Sequence, residues 1–493
     1  MRIEPKSNIT IDQVRKLVQG NEQLSLSENA KDSIVTCRMF LEDKIKTSKE
    51  PIYGINTGFG SLCNHIIPPA DMCNLQYNLL RSHACGTGDE IEEEIVKIML
   101  VLKVQSLAKG YSGVNLSTVE QLAALYNNNY FPIVYEQGSL GASGDLAPLS
   151  HLCLPIFGEG WVRHQGRTMT GAEFLANTGL KPVELGEKEG LALINGTQFM
   201  SAFGVWCLSE LSKLSKWADI IAALSIEAFD GREEPFAPES HSIRPHRGQI
   251  ETAQTITALR KDSEIAKQLK QHVQDPYSFR CIPQVHGACK QVLQQAIDIV
   301  ETEINAVTDN PNVFPDEDKI LSAGNFHGEI LAFQLDFSAI AASELASISE
   351  RRIYKLISGE RGLPLFLIPN AGLNSGYMIA QYTAASIVSQ NKILATPASV
   401  DSIVSSNGQE DHVSMGANAA TKLYKITKNL QTVLAIEMLC ACQALDFRGT
   451  EKTSAKLKGI FDSFRRVVPF RDKDTLLHSD IKNAEKFLNE QAI

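Results

Sequence analysis

The run Gly138-Ser-Leu-Gly-Ala-Ser-Gly-Asp-Leu-Ala-Pro148 holds the densest chemistry in the sequence: glycines that free the backbone, two serines, an acidic residue and a proline suited to a first helical turn. Two common uses of such a string do not fit. A phosphate-cradling loop needs lysine after its last glycine, where Asp145 stands and would repel phosphate. A nucleophile elbow needs Gly-x-Ser-x-Gly, and Gly141-Ala-Ser-Gly-Asp145 lacks the closing glycine. Two readings remain: a tight turn that caps a helix at Asp145, or a backbone that is itself the reagent. Metal chemistry is not expected, because Gln409-Glu-Asp-His412 lacks HExxH-like spacing and Cys440 and Cys442 lack the CxxC spacing of zinc or redox sites.

Ala142-Ser143-Gly144 resembles the triplet from which the aromatic amino acid ammonia-lyases build 4-methylidene-imidazol-5-one (MIO). The residue types suit that chemistry. Gly144, without a Cβ, lets its nitrogen bend back onto the Ala142 carbonyl, and Ser143 carries the hydroxyl whose loss leaves an exocyclic methylene. Further strings resemble the same family, in order and over nearly the whole chain: Pro51-Ile-Tyr-Gly-Ile-Asn-Thr-Gly-Phe-Gly60, Asn78-Leu-Leu-Arg-Ser-His-Ala-Cys-Gly86, Asn195-Gly-Thr-Gln198, Gln274-Asp-Pro-Tyr-Ser-Phe-Arg280, Gly324-Asn-Phe-His-Gly328, Gly372-Leu-Asn-Ser-Gly376 and Gln409-Glu-Asp-His-Val-Ser414.

The resemblance implies roles position by position. Tyr53 matches the base that takes the β-proton, and Arg280 the clamp on the substrate carboxylate. Asn195, Gln274, Tyr277 and Phe326 match residues lining the prosthetic group and substrate. His83 and Glu410 match the pair that meets an imidazole, which points to the branch of the family acting on L-histidine, with trans-urocanate and ammonia as products. No external cofactor is implied. Side-chain chemistry separates this from a tyrosine or phenylalanine ammonia-lyase or 2,3-aminomutase: a carboxylate at 410 accepts an imidazole N–H, whereas against a phenyl ring it is buried unpaired at a cost of several kcal/mol. A MIO-free fumarase-like lyase or a non-catalytic helical scaffold is the other alternative, and the intact triplet speaks against both. Three departures from the family pattern stand at Gly408, where Asn is usual, His286, where an aliphatic residue is common, and Ile330, where Pro is usual.

These residues need elements to hold them. Stretches of helical period are expected at 197 to 229, 285 to 307, 327 to 358, 373 to 395 and 412 to 446, far longer than the usual helix of about 11 residues. The first 195 residues mix shorter helices, as at 91 to 109 and 117 to 127, with Gly-rich connectors, and β signal is limited to stretches such as 161 to 170. The expected fold is therefore mainly α with little β: an N-terminal domain, 1–195, bearing the Tyr53 loop and the Ala142-Ser143-Gly144 triplet, and a long-helix bundle, 196–493, which the resemblance makes fumarase/aspartase-like. Asp145, Asn195 and Asn325 precede apolar helical stretches as N-caps do. Were those helix starts to converge, their partial positive charge would favour tyrosinate at Tyr53.

Composition narrows the class. The 493 residues carry 47 Lys+Arg against 57 Asp+Glu, a net charge of −10, with no basic stripe of the kind that binds phosphates, so no nucleic-acid partner is expected. The N-terminus lacks an apolar signal core and no stretch reads as an uninterrupted span, so the expectation is a cytoplasmic protein with no membrane partner and ten reduced, mostly buried cysteines. Helices apolar on several faces call for an oligomer, and the resemblance implies a homotetramer with shared active sites.

Overall fold

The computed structural model describes residues 1–47 and 51–491. It is mainly α, and the long periodic stretches form helices close to where the pattern puts them: Gln198–Ala228, Ile282–Glu303, Glu329–Ile357, Met378–Leu394 and Gly416–Arg448. The shorter pair form as Glu93–Leu107 and Leu116–Asn127, and the β signal becomes an antiparallel hairpin of Trp161–His164 with Arg167–Thr170. Chain contacts divide the molecule into two compact units, each drawn from three stretches of sequence, whereas the change near residue 195 is one of sequence texture.

The first unit takes Met1–Ser209, Ile297–Asp336 and Pro397–Thr421. Its core helix Glu93–Leu107 is apolar on every side, with Ile95, Ile98, Met99, Leu100 and Val101 all buried, and the Leu116–Asn127 helix packs on it. Three short helices, Met72–His83, Leu146–Cys153 and Glu189–Ile194, pack on one another. Each begins or ends at a residue marked by the sequence: His83 closes the first, the 142–145 turn opens the second, and Asn195 follows the third. A buried Lys188–Asp309 pair, 2.7 Å apart, and a buried Glu189 carboxylate taking hydrogen bonds from Thr118, Asn115 and the Gly186 amide pin this cluster from beneath.

The second unit takes Glu210–Ala296, Phe337–Thr396 and Lys422–Ile493. Trp217, fully buried, donates its indole N–H to the Leu488 carbonyl at 2.9 Å and packs on Phe487, which fastens the C-terminal helix Leu477–Glu490.

Among the described residues, two helices, Glu329–Ile357 and Gly416–Arg448, are long and apolar enough to cross a membrane by length and composition, although charged residues interrupt both. In each the most apolar window is mostly buried, 61% and 78%, as in the core helices of a globular fold. All ten cysteines are free and six are buried.

Candidate active site

A cavity of about 720 Å³ in the first unit gathers Tyr53, His83, Ser143, Asn195, Phe326 and Glu410 on its wall. The triplet sits on a turn built for close approach. Gly144 has φ +75°, and a Cβ there would lie 2.1 Å from the Gly196 carbonyl oxygen; Gly141, also at φ +75°, is pressed against the Ser414 hydroxyl. The Asp145 amide donates to Gly196 O at 2.7 Å, so 144–145 runs alongside 196. From the same strand-like contact the Asn195 side-chain amide donates to the Ser143 carbonyl at 2.7 Å, while its own buried oxygen finds no partner. The Ser143 hydroxyl donates to Glu410 at 3.2 Å, and the Ser405 hydroxyl holds the other Glu410 oxygen at 3.0 Å.

Tyr53 lies half-buried on a loop folded on itself, with the Gly54 amide on Thr57 Oγ1 and the Gly60 amide on the Tyr53 hydroxyl at 3.3 Å. Burial pushes its phenol above the usual value of 10, the Gly60 hydrogen bond opposes this, and Glu410 adds to the rise. Among the described residues, the charged groups that act on this tyrosine, Glu410 and Cys63, both raise its pKa. His83 ends its helix with Nδ1 on the Leu79 carbonyl at 2.8 Å, which makes Nδ1 the protonated nitrogen and leaves Nε2 a lone pair. Burial lowers the His83 pKa, so the ring stays neutral below its ordinary range.

The expected caps turn out otherwise. Asp145 does precede the helix Leu146–Cys153 but does not cap it; its carboxylate accepts from the Phe199 and Met200 amides and so caps the long helix Gln198–Ala228. Asn195 ends the helix Glu189–Ile194, and Asn325 lies ahead of the Glu329–Ile357 start. Beneath the turn lies a residue that sequence reading missed, Lys103, fully buried with its ammonium on the Asn195 carbonyl at 2.9 Å. Burial lowers its pKa to about 8 and raises that of Asp145 to about 7. A lysine inside an otherwise apolar helix was the available signal.

Gln274, Tyr277 and Arg280 belong to the second unit and do not line this cavity. There the Arg280 guanidinium lies over the Tyr277 ring, 4.7 Å from its centroid, and the buried Arg280 Nε has no hydrogen-bond partner. Among the described residues, His327, Glu329 and His412 bring ligand atoms within 4.8 Å of one another, a set able to hold a metal ion that sequence spacing did not reveal. The departures are benign for the backbone: Gly408 has φ +84° in open space, where Asn is also tolerated, and Ile330 is the second residue of its helix, where Pro is also allowed.

A match to the aromatic amino acid lyase family covers residues 9–466. Histidine ammonia-lyases from Bacillus subtilis and Treponema denticola are each 45% identical, over 99% of this chain and 96% and 97% of their own lengths. The crystal structure of histidine ammonia-lyase from Trypanosoma cruzi superposes with a TM-score of 0.92 at 40% identity, covering 99% of this chain and 93% of that one. A Pantoea agglomerans phenylalanine aminomutase gives 0.94 at 32% identity, covering 99% of both chains. With matches of this extent on the same triplet-bearing fold, the chain belongs to the aromatic amino acid lyase family.

Proposed function

We propose that this enzyme eliminates ammonia from L-histidine to give trans-urocanate, using an MIO group formed from Ala142, Ser143 and Gly144. The observation that carries the reading is the meeting of Ser143, Tyr53, Asn195, His83, Phe326 and Glu410 around one cavity. The full-length identity to histidine ammonia-lyases supports the same substrate.

The triplet fits the group. Gly144 is already in the left-handed region that the bend requires, with no room for a side chain, and Asn195 already donates to the Ser143 carbonyl, where the ring oxygen would be. Formation closes Gly144 N onto the Ala142 carbonyl carbon with loss of one water, and the Ser143 hydroxyl leaves with a Cα proton as a second. Once formed, the group supplies an electrophile that makes the substrate nitrogen a better leaving group.

The chain's own residues do the rest. Tyr53 takes the β-proton, Arg280 holds the carboxylate, and Gln274, Tyr277 and Phe326 shape the bound substrate. Glu410 accepts an imidazole N–H, and the His83 lone pair at Nε2 faces the same ring. We further propose a homotetramer with shared active sites, which the apolar exposed face of Glu329–Ile357 supports: Ile330, Phe333, Phe337 and Ile340 recur at helical spacing and are each 40–49% exposed. Ten free cysteines accord with a reducing, cytoplasmic setting.

The test is incubation with histidine, phenylalanine and tyrosine separately, following each product's ultraviolet band, together with the intact mass. Urocanate alone and a mass short by two waters in the peptide holding Ala142 to Gly144 are expected. Active protein of unmodified mass would remove the electrophile from the reading.

A further inference from the structure

His286, which departs from the family pattern, is at the centre of a buried network in the second unit that the mechanism above does not use. His286, Arg352 and Glu437 are fully buried and Asp219 is 1% exposed. The His286 Nδ1–H donates to Asp219 at 2.8 Å, and Lys290 holds the other Asp219 oxygen at 2.6 Å. That tautomer leaves Nε2 as an acceptor, and Arg352 Nη1 faces it at 3.4 Å. Arg352 is also bidentate to Glu437, at 2.6 and 2.9 Å, with Ser225 and Ser349 donating to the same carboxylate. Two cations and two carboxylates balance, provided that the imidazole is neutral, as burial requires.

What this network grips is the segment that holds Gln274, Tyr277 and Arg280. Arg352 Nη1 donates to the Ser278 carbonyl at 3.4 Å, inside the short helix Tyr277–Arg280. At the other end Arg361 donates to Asp275 at 2.6 Å and to the Gln274 carbonyl at 3.4 Å. Next to Ser278, Phe279 is buried, stacked on Phe229 at 4.5 Å. The segment's backbone is thus clamped by two arginines while Tyr277 stays exposed and Arg280 keeps an unpartnered nitrogen.

We propose that His286 and Arg352 are positioning residues: by fixing the Arg352 nitrogen that holds Ser278, His286 sets where Tyr277 and Arg280 meet the substrate. The link to substrate rests on Arg280 being the carboxylate clamp. The placement of the segment does not.

The test compares wild type with His286→Leu and His286→Gln, whose amide can donate to Asp219 and accept from Arg352. Leucine should raise the KM for histidine about tenfold with kcat within about twofold, since ground-state binding is what a displaced clamp loses. It should also speed amide hydrogen exchange locally over 274–280, and glutamine should restore both. If His286→Leu does not fold, Arg352→Lys, which keeps a cation at Glu437 but has no second nitrogen for Ser278, must show the same two changes. A wild-type KM and wild-type exchange over 274–280 in the folded variants, with only the thermal midpoint lowered, would overturn the proposal. A wild type that does not turn over histidine would refute the substrate reading instead, and exchange over 274–280 would still decide the positioning role.

Discussion

Tyr53 and Glu410 line one cavity, and their charges are coupled with a definite sign. Burial first, and the Glu410 carboxylate after it, hold the Tyr53 phenol above 10, so a tyrosinate base gains population as pH rises. The rate should therefore climb on the alkaline side, and Glu410→Gln, by removing a negative neighbour, should move that rise to lower pH while cutting histidine kcat/KM about ten- to a hundredfold through the lost charged hydrogen bond. A pH–rate profile of both proteins measures it. An unmoved limb would mean that another group titrates. Tyr53→Phe keeps the ring and loses the base, so kcat should fall by about 10²–10⁴-fold with KM close to normal. A variant with kcat intact and KM raised would make Tyr53 a binding residue.

Among the elements, the 138–145 turn depends on glycine where the neighbouring backbone leaves no space. Gly144→Ala would place a methyl group 2.1 Å from the Gly196 oxygen, so the turn must shift away from Asn195. The variant should keep the unmodified mass of its triplet and unfold at lower urea. Asp145 acts on a different element from the one its position suggests, capping Gln198–Ala228 across space. Burial raises its pKa to about 7, so the folded form binds a proton more tightly than the unfolded chain. Its contribution to stability is complete below the ordinary 3.8 and is lost as pH rises through about 7. Asp145→Asn should accordingly flatten the loss of urea resistance between about pH 4 and about pH 7, at the cost of a weaker cap worth roughly 0.5–2 kcal/mol.

For the whole molecule, Glu329–Ile357 leaves an apolar face exposed, and Met378–Leu394 has apolar surface of its own, with Ile379 53% and Tyr382 58% exposed. Apolar surface on this scale is costly to leave in water. Ile340→Glu should shift the assembly toward smaller species in sedimentation velocity, and activity should fall with it if sites are shared. Full activity in a monomer would refute shared sites.

Residue order alone determined much of this. The 3.6-residue apolar period spans so many turns that helix is the sole way to bury it, which is why the five long helices fall within a few residues of their expected ends. The triplet and the strings around Tyr53, His83 and Glu410 were legible because their residue types are unusual together. What sequence could not supply was contact between distant stretches. Asp145 reads as a local cap because caps are local in most helices, yet the fold delivers the amides of 199 and 200 to it. Lys103 under Asn195, the approach of His412 to His327 and Glu329, and the clamp of Arg352 on Ser278 each join residues some tens of positions apart. The sign of the Tyr53 shift also awaited the structure, because a pKa is set by burial and by which charges lie within a few ångströms, and both are properties of the folded chain.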